Sequence, residues 1–192
     1  MKNTLLAIAL AGAGFLAFPS AQAADQTGGF FINGNIGQSN LSKGAYDDND
    51  TGYAANIGYR WAVSPSVLLG VEGGYANLGK FAPKSSAPAG IGDAKVKGWN
   101  VGVNGHFNVA DNWYLSGRTG YFRADTTAAD TAGAFAGEPV ARISDTSNKW
   151  YAGAGFGYDF SNNFSVGLNY DYYKAGFNLN PSLVSVSGEY RF

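Results

Sequence analysis

Few residues in this sequence could do covalent chemistry. It has no cysteine and a single histidine, His106. Thiol chemistry, disulfides and thiolate metal sites are therefore excluded. A histidine base needs a nucleophile and an orienting acid beside it. Ser116 is the candidate nucleophile, on the segment after His106, and the apposition is not compelling. A lone histidine of this kind reads more simply as a hydrogen-bonding group. The run Asp47, Asp48, Asn49, Asp50 carries oxygens of the type that hold calcium, but its spacing is not that of an EF-hand. A solvated turn accounts for it. Gly153-Ala154-Gly155-Phe156-Gly157 has the glycine content of a phosphate loop without the helix that must follow one. No cofactor and no metal are expected.

Charged side chains offer more. Arg60, Glu72, Arg118, Asp159, Asp171, Glu189 and Arg191 can form ion pairs if the fold brings them together. Lys95, Lys97 and Arg123 can hold an anion. Both ideas depend on the elements that carry these residues.

Those elements are eight segments that alternate with period two, the mark of strands. The first covers about residues 29–40. The second sets Tyr53, Ala55, Ile57, Tyr59 and Trp61 against Gly52, Ala54, Asn56, Gly58 and Arg60. The third sets Val67, Leu69, Val71 and Tyr75 against Leu68, Gly70, Glu72 and Gly74. The fourth and fifth carry Trp99, Val101, Val103 and Phe107, then Trp113, Leu115, Thr119 and Tyr121. The sixth to eighth carry Trp150 to Phe160, Phe164 to Tyr172, and Val184 to Phe192 at alternate positions. Short connections lie near residues 62–66, 108–112 and 161–163. Long ones lie near residues 41–50, 78–94, 126–148 and 175–182.

Aromatics recur on the apolar faces eight residues apart: Tyr53 and Trp61, Trp99 and Phe107, Trp113 and Tyr121, Trp150 and Tyr158, Phe164 and Tyr172. Eight steps of about 3.3 Å, tilted roughly 40°, span about 20 Å along a membrane normal. That is close to the apolar band of a transmembrane barrel with an aromatic girdle at each interface. A secreted antiparallel sandwich, the competing architecture, has no reason to fix that distance on strand after strand. Arg60, Glu72, His106, Arg118, Asp159, Asp171, Glu189 and Arg191 all take the opposite parity. On the lipid face near mid-bilayer each basic residue would cost about 2–4 kcal/mol.

Lys2, the apolar run over residues 5–18 and Ala21-Gln22-Ala23 form a secretory signal peptide. The expected domains are thus residues 1–23, cleaved, and residues 24–192, an exported barrel. Without Lys2 the balance is 12 basic to 14 acidic residues, which argues against nucleic acid. Glycine supplies 28 of 192 residues, high for a soluble domain, and no later stretch reads as an apolar helix.

With its eight alternating segments, three short turns and terminal Glu189-Tyr190-Arg191-Phe192, the chain resembles small outer-membrane β-barrels of the OmpA/OmpX type. The resemblance spans essentially the whole mature chain. It implies an all-β, eight-stranded, up-and-down antiparallel barrel in the outer membrane of a Gram-negative bacterium. It also implies that Phe192, with Tyr190, is the signal read by the barrel assembly machinery, periplasmic chaperones assisting. OmpA continues into a periplasmic peptidoglycan-binding domain; this sequence stops at Phe192, so a cell-wall tether is not expected.

An eight-stranded barrel is just wide enough for side chains to fill it. The polar face is therefore expected to form a packed core with trapped water. Glu72 and Arg118 sit at one level, with Gly102 between them, and are expected to form an internal salt bridge that blocks conduction. Arg60, His106, Asp159 and Arg191 would cluster near the periplasmic mouth. If the fourth turn centres near Ala110, Lys97 and Arg123 pair directly across strands, with Lys95 nearby. Like charges so placed call for an anion, and lipopolysaccharide phosphates lie at that height. The expected function is non-enzymatic: envelope integrity, surface interaction of adhesion type through the outer loops, or both, with a host or phage ligand. The alternatives are a small porin and, from another class, a lipid-modifying barrel enzyme using serine and histidine.

Overall fold

The computed structural model describes residues 28–43, 45–87, 90–130 and 141–192. The signal segment assigned to residues 1–23 lies outside them. Eight strands follow in chain order: β1 (Gly29–Lys43), β2 (Tyr46–Ser64), β3 (Val67–Phe81), β4 (Ile91–Ala110), β5 (Trp113–Asp130), β6 (Ala141–Asp159), β7 (Phe164–Tyr173) and β8 (Ser182–Arg191). Each pairs antiparallel with its neighbours in sequence, and β1 closes on β8 to make a barrel. No helix among the described residues is long and apolar enough to cross a membrane.

Period-two alternation sorts the side chains as strand geometry requires. Ile32, Ile36, Ile57, Val71, Trp99, Val101, Val103, Leu115 and Leu168 point outward and are exposed. Asn56, Arg60, Glu72, Asn104, His106, Asp171 and Glu189 point inward and are buried. Strand ends leave two-residue turns at residues 65–66 and 111–112, and a four-residue turn at 160–163. Asp111 takes a positive φ of 37° in the second of these.

The outer connections differ from expectation. Much of the chain expected as long loops is strand: β1 continues to Lys43, β2 restarts at Tyr46, β3 reaches Phe81, β4 starts at Ile91, β5 reaches Asp130 and β6 starts at Ala141. The reason is an inversion of the alternation above the outer girdle. In the bilayer the apolar parity faces out. Beyond it, Leu41, Tyr46, Leu78, Phe81, Ala94, Val96, Phe122 and Ala124 point inward and pack as one cluster. Lys95, Lys97, Arg123 and Asp125 alternate with them on the outside. Water replaces lipid there, so the wall becomes that of a soluble barrel with an apolar core.

β7 and β8 are only 10 residues each and do not join this extension. Residues 174–181 close the gap by turning inward. Lys174 N–H donates to Trp150 O at 3.1 Å and Ala175 N–H to Leu179 O at 2.9 Å. A 3-10 turn at Gly176–Asn178 follows, and Ala175 and Leu179 join the apolar cluster. Gly176 lies so close to the inner face of β6 that a Cβ there would meet Asp145 Oδ2 at 2.2 Å.

Candidate functional site

The lumen is built in three layers. Nearest the periplasm, the Arg60 guanidinium makes a two-pronged contact with the Glu189 carboxylate and donates through Nε to Asn104 Oδ1 at 2.5 Å. Arg191 Nη2 donates to the same Glu189 at 3.4 Å. His106 Nε2 lies 3.0 Å from Asp159 Oδ2, and Asp159 also accepts from Ser165 Oγ at 2.6 Å and Asn108 Nδ2 at 3.1 Å. The imidazole stacks on Tyr114, ring centres 4.1 Å apart, and Arg60 lies over the Phe31 ring. Arg60, His106, Asp159 and Arg191 thus share the lower lumen, and Glu189 is the carboxylate that ties the two arginines together.

The middle layer departs from the expected Glu72–Arg118 bridge. Arg118 pairs instead with Asp171 through Nε and Nη2. Asp171 is fully buried. The two residues come from β5 and β7, with β6 between them. They meet across Gly153, which is the register partner of both. A Cβ at Gly153 would come within 1.9 Å of Asp171 Oδ1. Ions do meet across a glycine here, but it is Gly153 and not Gly102. The space over Gly102 is taken by the Tyr151 hydroxyl, which a Cβ there would approach to 2.6 Å. That hydroxyl donates to Glu72 Oε1 at 2.8 Å. Asn100 Nδ2 donates to Asn56 Oδ1 at 2.9 Å and Asn169 Nδ2 to Asn35 Oδ1 at 3.1 Å, completing the layer.

One register accounts for this and for the outer rim. The turn between β4 and β5 sits at Asp111-Asn112, about one residue later than expected, so the pairings from Ala94–Ala128 to Asn108–Tyr114 move by two. Arg118 therefore faces Asn104 and not Gly102. By the same shift Lys97 faces Asp125, and Arg123 faces Trp99. The expected direct Lys97–Arg123 pairing is corrected: the two cations are diagonal neighbours, with the Asp125 carboxylate opposite Lys97. Both remain outward and exposed, as does Lys95. Lys174, which the alternation did not single out, lies with its Nζ 5.2 Å from the centre of the outward Trp150 ring.

The third layer is the apolar cluster described above. Between the ionic layers lies a cavity of about 30 Å³, lined by Arg60, Glu72, Asn104, His106, Arg118 and Glu189 among others. That is room for a water or two. His106 and Ser116 are register partners, yet the imidazole nitrogen that makes a contact is turned to Asp159. No group of His, Asp and Glu able to hold a metal occurs among the described residues. At the C-terminus Tyr190 and Phe192 both face outward, edge to face at 5.0 Å, and Phe192 N–H donates to Phe30 O at 2.9 Å.

Comparison with known proteins agrees with this architecture. No curated protein matches the chain. Among solved structures it resembles Ail, the attachment invasion locus protein of Yersinia pestis, at 19% identity over 86% of this chain and 99% of Ail, TM-score 0.56. Ail has also been crystallised with the heparin analogue sucrose octasulfate. Neisserial surface protein A matches at 14% identity over 85% and 97% of the two chains, TM-score 0.57. OprG of Pseudomonas aeruginosa matches at 10% over 89% and 100%, TM-score 0.53. At these identities the likeness is one of fold. The model of the outer membrane protein beta-barrel domain matches residues 8–192, and the chain is thus a bacterial outer-membrane protein that belongs to that family.

Proposed function

We propose that this barrel is a closed, non-enzymatic protein that acts through its exterior, in surface interaction of adhesion type and in envelope integrity. The observation that carries the reading is the filled lumen. Two ionic layers and an apolar layer succeed one another along the axis, and the cavity between the ionic ones holds only about 30 Å³. A porin needs a continuous wet path, and a buried pair such as Arg118–Asp171 would have to separate to make one. The porin reading is the weaker for that reason. Against the lipid-modifying enzyme, the imidazole is stacked on Tyr114 and its Nε2 is engaged by Asp159, so that nitrogen is not offered to Ser116. The neighbour Ail, crystallised with sucrose octasulfate, supports surface binding as a use of this scaffold.

The rim cations have a place in this reading. Lys95, Lys97, Arg123 and Lys174 lie above the outer aromatics, where lipopolysaccharide phosphates bind, and Asp125 limits the site to a looser grip than two opposed cations would make. Phe192 and Tyr190 present outward rings to the assembly machinery, with periplasmic chaperones acting before it. A host or phage ligand would meet the outer extension of the wall. The test of the main reading is planar-bilayer conductance of the refolded protein. Silence is expected, and a steady, sizeable conductance would overturn it.

A further inference from the structure

β2 begins above the outer aromatics with Tyr46, followed by Asp47-Asp48-Asn49-Asp50-Thr51, and the strand divides that run by parity. Asp48 and Asp50 face β3: Asp48 Oδ2 accepts the Ala82 N–H at 2.9 Å and Asp50 Oδ2 the Lys80 N–H at 2.8 Å. These two carboxylates close the seam beyond Tyr53–Asn77, where the β2–β3 ladder stops. Asp47, Asn49 and Thr51 take the other parity and are exposed. They share the outward face of Tyr53, and Asn49 stands four residues, about 13 Å, further along the strand. The run is thus not a solvated turn. It is a strand that offers an acid, an amide and a hydroxyl in one outward row.

Asn-x-Ser/Thr, with any residue but proline between, is the acceptor pattern for transfer of an oligosaccharide to an asparagine amide. Three matches occur: Asn40-Leu41-Ser42, Asn49-Asp50-Thr51 and Asn163-Phe164-Ser165. Such matches arise by chance, so their surroundings must separate them. Asn163 lies in the periplasmic turn between β7 and its predecessor, where its Nδ2 donates to Arg191 O at 2.7 Å and the Ser165 hydroxyl to Asp159 Oδ1 at 2.6 Å. The fold uses both groups, and a glycan there would displace the end of β8. Asn40 and Asn49 are register partners on β1 and β2, so they share height and side of the membrane. They differ two residues earlier, where Asn49 has Asp47 and Asn40 has Gln38. In an extended chain that residue shares a face with the amide and the hydroxyl. A transferase that holds a pyrophosphate-linked donor has a cationic site, and an acid at that position draws the acceptor to it.

We infer that Asn49 is an N-glycosylation site, selected by Asp47 and modified by an oligosaccharyltransferase that uses a polyprenyl-pyrophosphate-linked oligosaccharide. Asn49 Nδ2 attacks the anomeric carbon of the first sugar. A C–N bond forms, the C–O bond to pyrophosphate breaks, and the polyprenyl pyrophosphate leaves with that electron pair. The amide nitrogen gives up one proton to a base of the transferase, and nothing is oxidised or reduced. In the finished barrel residue 49 is laddered to β1, so transfer takes place on the exported chain before the wall closes. The glycan then projects outward into water, clear of both lumen and lipid. A modified Asn49 keeps its place in β2, because its side chain is exposed and the seam to β3 is held by Asp48 and Asp50.

The experiment produces the full chain in a Gram-negative host that carries a bacterial oligosaccharyltransferase and its lipid-linked glycan, beside a secreted acceptor of known reactivity as control. Outer-membrane protein that migrates in its heat-modifiable folded form is digested and read by mass spectrometry. The glycan mass is expected on the peptide that holds Asn49, and not on those with Asn40 or Asn163. Asn49→Gln should remove it. Asp47→Ala should reduce it to background, and Gln38→Asp should create a second modified site at Asn40, a gain that misfolding cannot produce. An unmodified Asn49 beside a modified control overturns the site, as does a glycan confined to unfolded chain. Modification that survives Asp47→Ala unchanged, with none at Asn40 in the Gln38→Asp protein, overturns selection by the acid.

Discussion

Gly153→Ala is the sharpest test of the lumen. The change adds one methyl on β6, inside the barrel, where Asp171 Oδ1 would lie 1.9 Å away. Ordinary contact needs about 3.4 Å or more, so the carboxylate must move by more than an ångström. Asp171 is fully buried, and its two oxygens are both held by Arg118. It cannot retreat without loosening that pair. Overpacking alone costs about 1–3 kcal/mol, and breaking a buried ion pair about 3–5 kcal/mol. Partial relaxation of the pair puts the expected loss at about 2–4 kcal/mol. With a urea slope of about 1–3 kcal/mol per molar, the unfolding midpoint should fall by roughly 1 M or more. The assay is urea unfolding of the barrel in lipid vesicles, followed by tryptophan fluorescence and by heat-modifiable migration. Gly117→Ala is the matched control, because a Cβ there meets nothing within 4 Å. Asp171→Asn should destabilise at least as much as Gly153→Ala, since it strands the Arg118 charge. The reasoning is refuted if Gly153→Ala and Gly117→Ala unfold together while Asp171→Asn does not.

Four further outcomes are expected. Tyr151→Phe removes the hydroxyl that donates to Glu72 and should cost about 1–3 kcal/mol in the same unfolding assay, with Glu72→Gln in the Phe background recovering part of it. Lys97→Ala with Arg123→Ala should reduce lipopolysaccharide co-purifying with the barrel, and unchanged co-purification would remove the rim site. Because Asp125 opposes Lys97, Asp125→Asn should raise co-purification in the parent protein. Phe192→Ala should lower the amount of barrel assembled in cells while leaving refolding in detergent intact; loss of both would make Phe192 a structural residue only.

Local patterning specifies the membrane-embedded half of this molecule. Alternation decides which parity meets lipid, because one face of every strand has a single solvent. Arg60, Glu72, His106 and Arg118 therefore had to point inward, and the girdle spacing from Trp99 to Phe107 set the thickness of the band. The inverted alternation over Leu78, Val96 and Phe122 was also present in the residues. It was hidden because small residues dilute it and because it begins where the parity of the apolar face changes. Lumenal partners belong to the tertiary structure alone. Whether Arg118 meets Glu72 or Asp171 depends on the stagger of strands that are far apart in sequence. A turn at Asp111-Asn112, one residue along, moves the β4–β5 register by two, and with it both the ion pairs and the rim cations. Strand length is decided in the same way. β6 outruns β7 because β7 ends at Tyr173 and the chain turns in to cap the apolar layer, a choice made by packing in three dimensions and not by any local pattern.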